Sequence, residues 1–127
     1  MVTKQLREDL PEDADLRRAD SLAREIFSDV ANKWALLITE ALGERTLRFS
    51  ELRNEVEGIS HKMLTQNLRM LERNGLVDRK VYPTVPPRVD YTLTEPGRAL
   101  RGTVDAICGW THQYLGSIED ARRRFDT

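Results

Sequence analysis

Four long polar side chains, Lys62, Gln66, Arg69 and Arg73, recur at intervals of four and three between Ser60 and Gly75. At 100° per residue they share one side of a helix, with Thr65 flanking them and Leu64, Leu68 and Leu71 opposite. Such a face can read a polyanion. Arg and Lys bond the acceptors of guanine, Gln bonds adenine, and a threonine methyl can meet that of thymine. His61, at the start of the same helix, suits a phosphate or base contact, or plain solvation. Any amphipathic helix turns charge to water, so this face alone does not decide between solvation and nucleic-acid contact.

The flanking residues supply the frame. Ser60 is placed to cap the helix and Gly75 to end it. Upstream, Ser50 can cap a short helix that points Leu52 and Val56 inward and ends at Gly58. Only Gly58, Ile59 and Ser60 then join the two helices, the spacing of a helix-turn-helix whose second helix enters the major groove. Downstream, "LVDRKVY" and "RVDYTLT" alternate apolar and polar residues as half-buried strands do, and "PTVPP" between them must be an exposed loop. Arg79, Lys80 and Arg88 bracket that loop. A basic wing of this kind lies along phosphates or puts an arginine into a narrow minor groove. Helix-turn-helix and wing together favour DNA binding over solvation.

The remaining elements are helical. Residues 1–13 are charged, contain Pro11 and form a loose N-terminal segment. Leu16, Ala19, Ala23, Ile26 and Phe27 mark a first helix. Val30, Trp34, Leu37, Ile38 and Ala41 mark a second, stopped at Gly43. "TLRF", from Thr46 to Phe49, can be a small strand. Thr94 caps a last long helix over about 95–124, with Pro96 in its first turn. Leu100, Val104, Ile107, Thr111, Tyr114 and Ile118 form its apolar stripe, widened by Cys108, Trp110 and Leu115. The order is helix, helix, short strand, helix, helix, strand, strand, helix. The fold class is mainly α with a small β-wing, one domain over residues 14–127.

Composition narrows the function. The chain has 127 residues, 32% of them charged, and a net charge of −1. Between Ser60 and Arg88 there are six cations against two anions, so this stretch carries +4 and the rest −5. A basic patch on an acidic protein points to a polyanionic partner. Apolar runs are too short to span a membrane, and "MVTKQLREDLPEDADLRRAD" lacks the apolar core of a secretory signal, so a cytoplasmic protein is expected. There is no glycine-rich phosphate loop, GxSxG or HExxH, and Ser60 beside His61 is not a triad; no enzyme is expected. One cysteine and two histidines are too few for a structural zinc site in one chain, and no cofactor is expected. A winged helix used for protein–protein contact is the alternative, and it would need an apolar face where this helix carries Lys62, Gln66, Arg69 and Arg73.

The runs "NKWALLITEAL", "ISHKMLTQNLRMLE", "VYPTVPPRVDYTLT" and "DAICGW" resemble the HxlR-type winged helix-turn-helix transcriptional regulators, from about Ser21 to Leu115. The resemblance implies a bacterial homodimer on an inverted-repeat operator in double-stranded DNA, dimerising through its N- and C-terminal helices. Leu22, Ile26, Leu100, Val104, Ile107, Thr111, Tyr114 and Ile118 are the residues expected there. The stripe of the last helix supports this independently, since it is longer than one small core needs and carries aromatic anchors. A repressor controlled by a small-molecule or redox signal is expected.

One departure matters. Many members of the family carry a sensing cysteine about thirteen residues before the tryptophan of the "KW" pair, here Lys33-Trp34. That position holds Ser21, which cannot form a disulfide or a thiol adduct. Cys108 is the remaining thiol, and within an apolar stripe it reads as an inert small hydrophobe. Cys108 and His112 share a face and could supply half of a four-ligand site across a two-fold axis, though the residue count favours no metal. Trp34, Phe27, Trp110 and Tyr114 can line an effector pocket near the dimer interface, with ordinary core packing the simpler role.

Overall fold

The computed structural model describes residues 13–127. The loose segment expected at residues 1–13 lies outside the described residues except for Asp13. The chain divides into two units, one reaching Asn32 and the other running from Lys33 to Thr127.

The first unit contributes α1 (Asp13–Val30). Asp13 and Asp15 stand in its first turn, where carboxylates favour the helix dipole. Arg18 pairs with Asp15 one turn on, at 2.8 Å. Leu16, Leu22 and Phe27 are exposed, and Ile26 is half-buried.

The second unit holds α2 (Lys33–Leu42), β1 (Thr46–Arg48), α3 (Phe49–Glu55), α4 (His61–Arg73), β2 (Val77–Tyr82), β3 (Arg88–Leu93), α5 (Glu95–Gln113) and α6 (Leu115–Asp126). The strands form one antiparallel sheet in the order β1-β3-β2. Ile38 and Leu42 of α2, Leu52 of α3, Leu64 and Leu71 of α4, Val77 and Leu93 of the strands are fully buried. Each helix donates the residues that its 3.6-residue period brings to one side, which is why the leucine spacing of α4 foretold its buried face. No helix among the described residues is long and apolar enough to cross a membrane.

One contact fixes where the wing begins. Thr94 caps α5, its hydroxyl accepting from Gly97 N at 3.2 Å and donating to Gly75 O at 2.6 Å. Its own N–H donates to Leu76 O at 3.1 Å. Gly97 lies so close to that same carbonyl that a Cβ there would collide with it. A side chain is therefore excluded where the first turn of α5 meets the approach to β2.

Three expectations need correction. Ser50 does not cap α3, which already begins at Phe49. Arg48 holds the cap position in extended backbone, and its N–H donates to Glu51 Oε1 at 2.9 Å, because β1 runs directly into the helix. The single helix expected over 95–124 is two, broken at Tyr114 (φ −107, ψ 16) and extended to Asp126. The Gly116-Ser117 pair follows the break, and such pairs weaken a helical ladder. The alternation in β2 does not bury one face along its length: only Val77 is buried and Val81 is exposed, since the outer wing extends beyond the core.

Candidate nucleic-acid interface

The helix-turn-helix is α3, the joint of residues 56–60 and α4; the joint has five residues rather than the three expected, because α3 ends at Glu55 and not at Gly58. Gly58 makes the turn at φ +84, a conformation L side chains rarely adopt, and Ile59 is buried beneath it. Ser60 then caps α4, its hydroxyl accepting from Met63 N at 3.1 Å. Leu64, Asn67, Leu68 and Leu71 are buried. Lys62, Gln66, Arg69 and Arg73 are all exposed, as the spacing required, and among the described residues none of the three cations has an ion pair. Thr65 is half-buried, and its hydroxyl donates to His61 O at 2.8 Å, so its methyl is what it can offer a partner. Exposed His61 packs its ring against Phe49 with centroids 4.7 Å apart, joining the starts of α3 and α4.

The wing cations do not form one surface. Adjacent residues of a strand face opposite sides. Arg79 pairs in register with Tyr91, and Lys80 with Asp90. Arg79 thus turns toward α4. It lines a cleft of about 590 Å³ with Arg69, Glu72, His61 and Thr65, over a floor that includes Phe49, Leu68, Val89 and Tyr91. Lys80 and Arg88 take the other face, each with its charge over the Tyr82 ring, at 5.0 and 5.1 Å from the centroid.

Arg88 is also less available than expected. Its Nε and Nη2 donate to the two carboxylate oxygens of Asp90 at 3.0 and 2.9 Å. Asp90 is only 5% exposed. The Arg88 hydrogen bonds hold its carboxyl below the usual carboxylate range, against the opposing effect of burial, with Arg88, Arg48 and Lys80 adding attraction. Arg88 is correspondingly raised, chiefly by its hydrogen bond to Asp90. Sequence reasoning missed Asp90, Phe49, Asn67 and Glu72. Asn67, whose Nδ2 donates to Met63 O at 2.9 Å, offered no signal beyond its place among the leucines. Asp90 offered one, a carboxylate two residues from Arg88 on the same strand face.

The second group of predicted residues divides along α5 and α6. Leu100, Val104 and Ile118 are half-buried, while Ile107, Thr111 and Tyr114 are exposed. Trp110 is exposed and stacks obliquely on Tyr114, with centroids 5.9 Å apart. Cys108 is exposed, contrary to the buried setting expected, because the helix leaves the core after Val104. Phe27, Trp110 and Tyr114 are likewise too exposed in this chain to be ordinary core. Trp34 is half-buried beneath Lys33, whose ammonium lies 4.5 Å from its ring centroid.

The model of the family described as HxlR-like helix-turn-helix matches residues 29–119. An uncharacterized HTH-type transcriptional regulator of Methanothermobacter thermautotrophicus is 44% identical over 94 residues, covering 74% of this chain and 72% of that one. A solved chain assigned as transcriptional regulator ytfH from Salmonella typhimurium is 40% identical with a TM-score of 0.68, over 80% of this chain and 90% of that one. The oxidized form of the redox regulator HypR is 35% identical with a TM-score of 0.64, over 72% of this chain and 94% of that one. Motif, sheet and family match converge: this chain belongs to the HxlR-like helix-turn-helix family of winged-helix, DNA-binding transcriptional regulators.

Proposed function

We propose that the protein is a homodimeric repressor that sets α4 of each subunit into successive major grooves of an inverted-repeat operator. The exposed polar face of α4 carries this reading: three cations and an amide stand exposed on a helix whose other side is locked into the core. Lys62, Gln66 and Arg69 read bases, Thr65 adds a methyl contact, and Ser60, His61 and Arg73 lie toward phosphates. Arg79 faces the same groove edge across the cleft. Lys80 and Arg88 meet the backbone from the outer face of the wing.

Dimerisation uses the apolar residues that α5 and α6 leave exposed, Ile107 and Tyr114 above all, together with Leu100, Val104, Thr111 and Ile118. Leu22 and Ile26 of α1 contribute a second stripe. A two-fold pair with half-sites about one or two helical turns apart follows. HypR is a redox regulator, but Ser21 replaces the family's sensing cysteine here, so control falls to a non-covalent effector bounded by Trp34 and Trp110 or to the exposed Cys108.

A genomic-fragment binding selection at physiological salt tests the proposal, repeated after mild oxidant and after a quinone or aldehyde. Enrichment of one inverted repeat, with affinity falling steeply as salt rises, is the expected outcome. Release on treatment would place the signal at Cys108. Failure to enrich any sequence would sink specific DNA recognition and leave a partner-binding module.

A further inference from the structure

We infer that the wing tip reads the minor groove by shape, through the apolar side chain of Val85 rather than through an arginine. This rests on the proposed DNA-binding role. Residues 83–87, Pro-Thr-Val-Pro-Pro, carry no charge. Val85 is 101% exposed, fully in solvent at the end of the hairpin. The cation nearest in register, Arg88, pairs with Tyr82 at the root of the tip, and its guanidinium is held by Asp90 two residues further from the loop. It is thus directed away from the tip.

The tip is also preorganised. Thr84 Oγ1 donates to Pro86 O at 2.8 Å, and three of the five residues are prolines with fixed φ. Little conformational entropy is left to lose on docking. Lys80 and Arg88 share the wing's outer face at the root of the tip and suit the phosphates along one groove edge, so the uncharged tip beyond them is what is presented to the groove itself. Apolar side chains are a known means of engaging that groove. A guanine places its N2 amino group on the groove floor, where an A·T pair has only acceptors. Two valine methyls gain contact on the open floor and are blocked by the amino group. The wing therefore disfavours G·C for reasons of space, without a hydrogen bond.

Hypoxanthine–cytosine pairs isolate this effect, because they keep the major-groove pattern of G·C and lack only the N2 amino group. Binding of the full-length protein to alternating poly(dI-dC) and poly(dG-dC) duplexes is measured across a salt series, for wild type and Val85→Ser. The expected result is about fivefold tighter wild-type binding to poly(dI-dC), a size set by the loss typical of one mismatched contact. In Val85→Ser the ratio falls to about one with an unchanged salt slope, since no phosphate contact is lost. Equal wild-type binding to both duplexes, or a preference that survives in Val85→Ser, overturns the inference while leaving salt-dependent DNA binding in place. If the wild type binds neither duplex, this inference and the DNA-binding role fall together.

Discussion

The outer face of α4 and the outer face of the wing are both basic, yet their cations are held differently. Lys62, Arg69 and Arg73 have no ion pair among the described residues. Arg88 is clamped by a buried carboxylate, and both it and Lys80 lie over Tyr82. A free guanidinium can be spent on a base edge, and its removal costs the fold little. A clamped one is already part of the fold, so it offers a fixed patch of potential more than a searching donor. The cations of the helix are suited to discriminate and those of the wing to position. Both depend on the junction at Gly97, which sets where the wing departs from the core.

The largest effect should come from breaking that junction. Gly97→Ala puts a methyl against Leu76 O and forces backbone to move. A stability loss of about 3 kcal/mol is expected in urea unfolding, at the upper end of overpacking costs. DNA affinity should fall with it, since the wing is displaced. A fully stable Gly97→Ala would mean that the wing root is compliant.

Arg69→Ala should cost about 1–3 kcal/mol of operator affinity and relax specificity at one base position. Its unfolding midpoint should hardly move. Arg88→Ala should behave oppositely, lowering the unfolding midpoint by stranding Asp90 and weakening all DNA sequences evenly. Equal specificity loss in the two variants, measured on a panel of single-base operator changes, would erase the distinction between helix and wing. Ser60→Ala removes the cap of α4 and should lower stability by about 1 kcal/mol. Affinity should drop in step at the helix start, where His61 and Lys62 lie.

The smallest effect is pH-dependent and belongs to the wing alone. Asp90 titrates below its ordinary value when folded, so its pairing stabilises the protein fully above the usual carboxylate range. That contribution is lost as pH falls through the lowered folded value. The stability gap between wild type and Asp90→Asn should therefore be constant near neutrality and narrow below about pH 4. A gap independent of pH would show that the Arg88 pair does not need the charge.

Much of the candidate interface was legible. The helical period of the leucines fixed which side of α4 is buried, and hence that Lys62, Gln66, Arg69 and Arg73 face outward. Ser60 and Thr94 capped where they were expected to. The wing was read less well. Its strand period already separated Arg79 from Lys80, but counting cations in a loop hid this. Ser50 lost its role because β1 passes into α3 without a linker. The stripe on the last helix was visible, but not how soon it leaves the core.

Local sequence alone determined most of the helices, the caps at Ser60 and Thr94, the turn glycine Gly58 and the polar face of α4. Each of these is set by neighbours within one or two turns of chain. Tertiary structure alone decided that Arg79 joins Arg69 across a cleft, that Asp90 is buried and holds Arg88, and that Cys108 and Trp110 stand in solvent. The physical reason is the range of the interactions. Periodicity states which residues share a side, whereas burial depends on what distant segments place against that side.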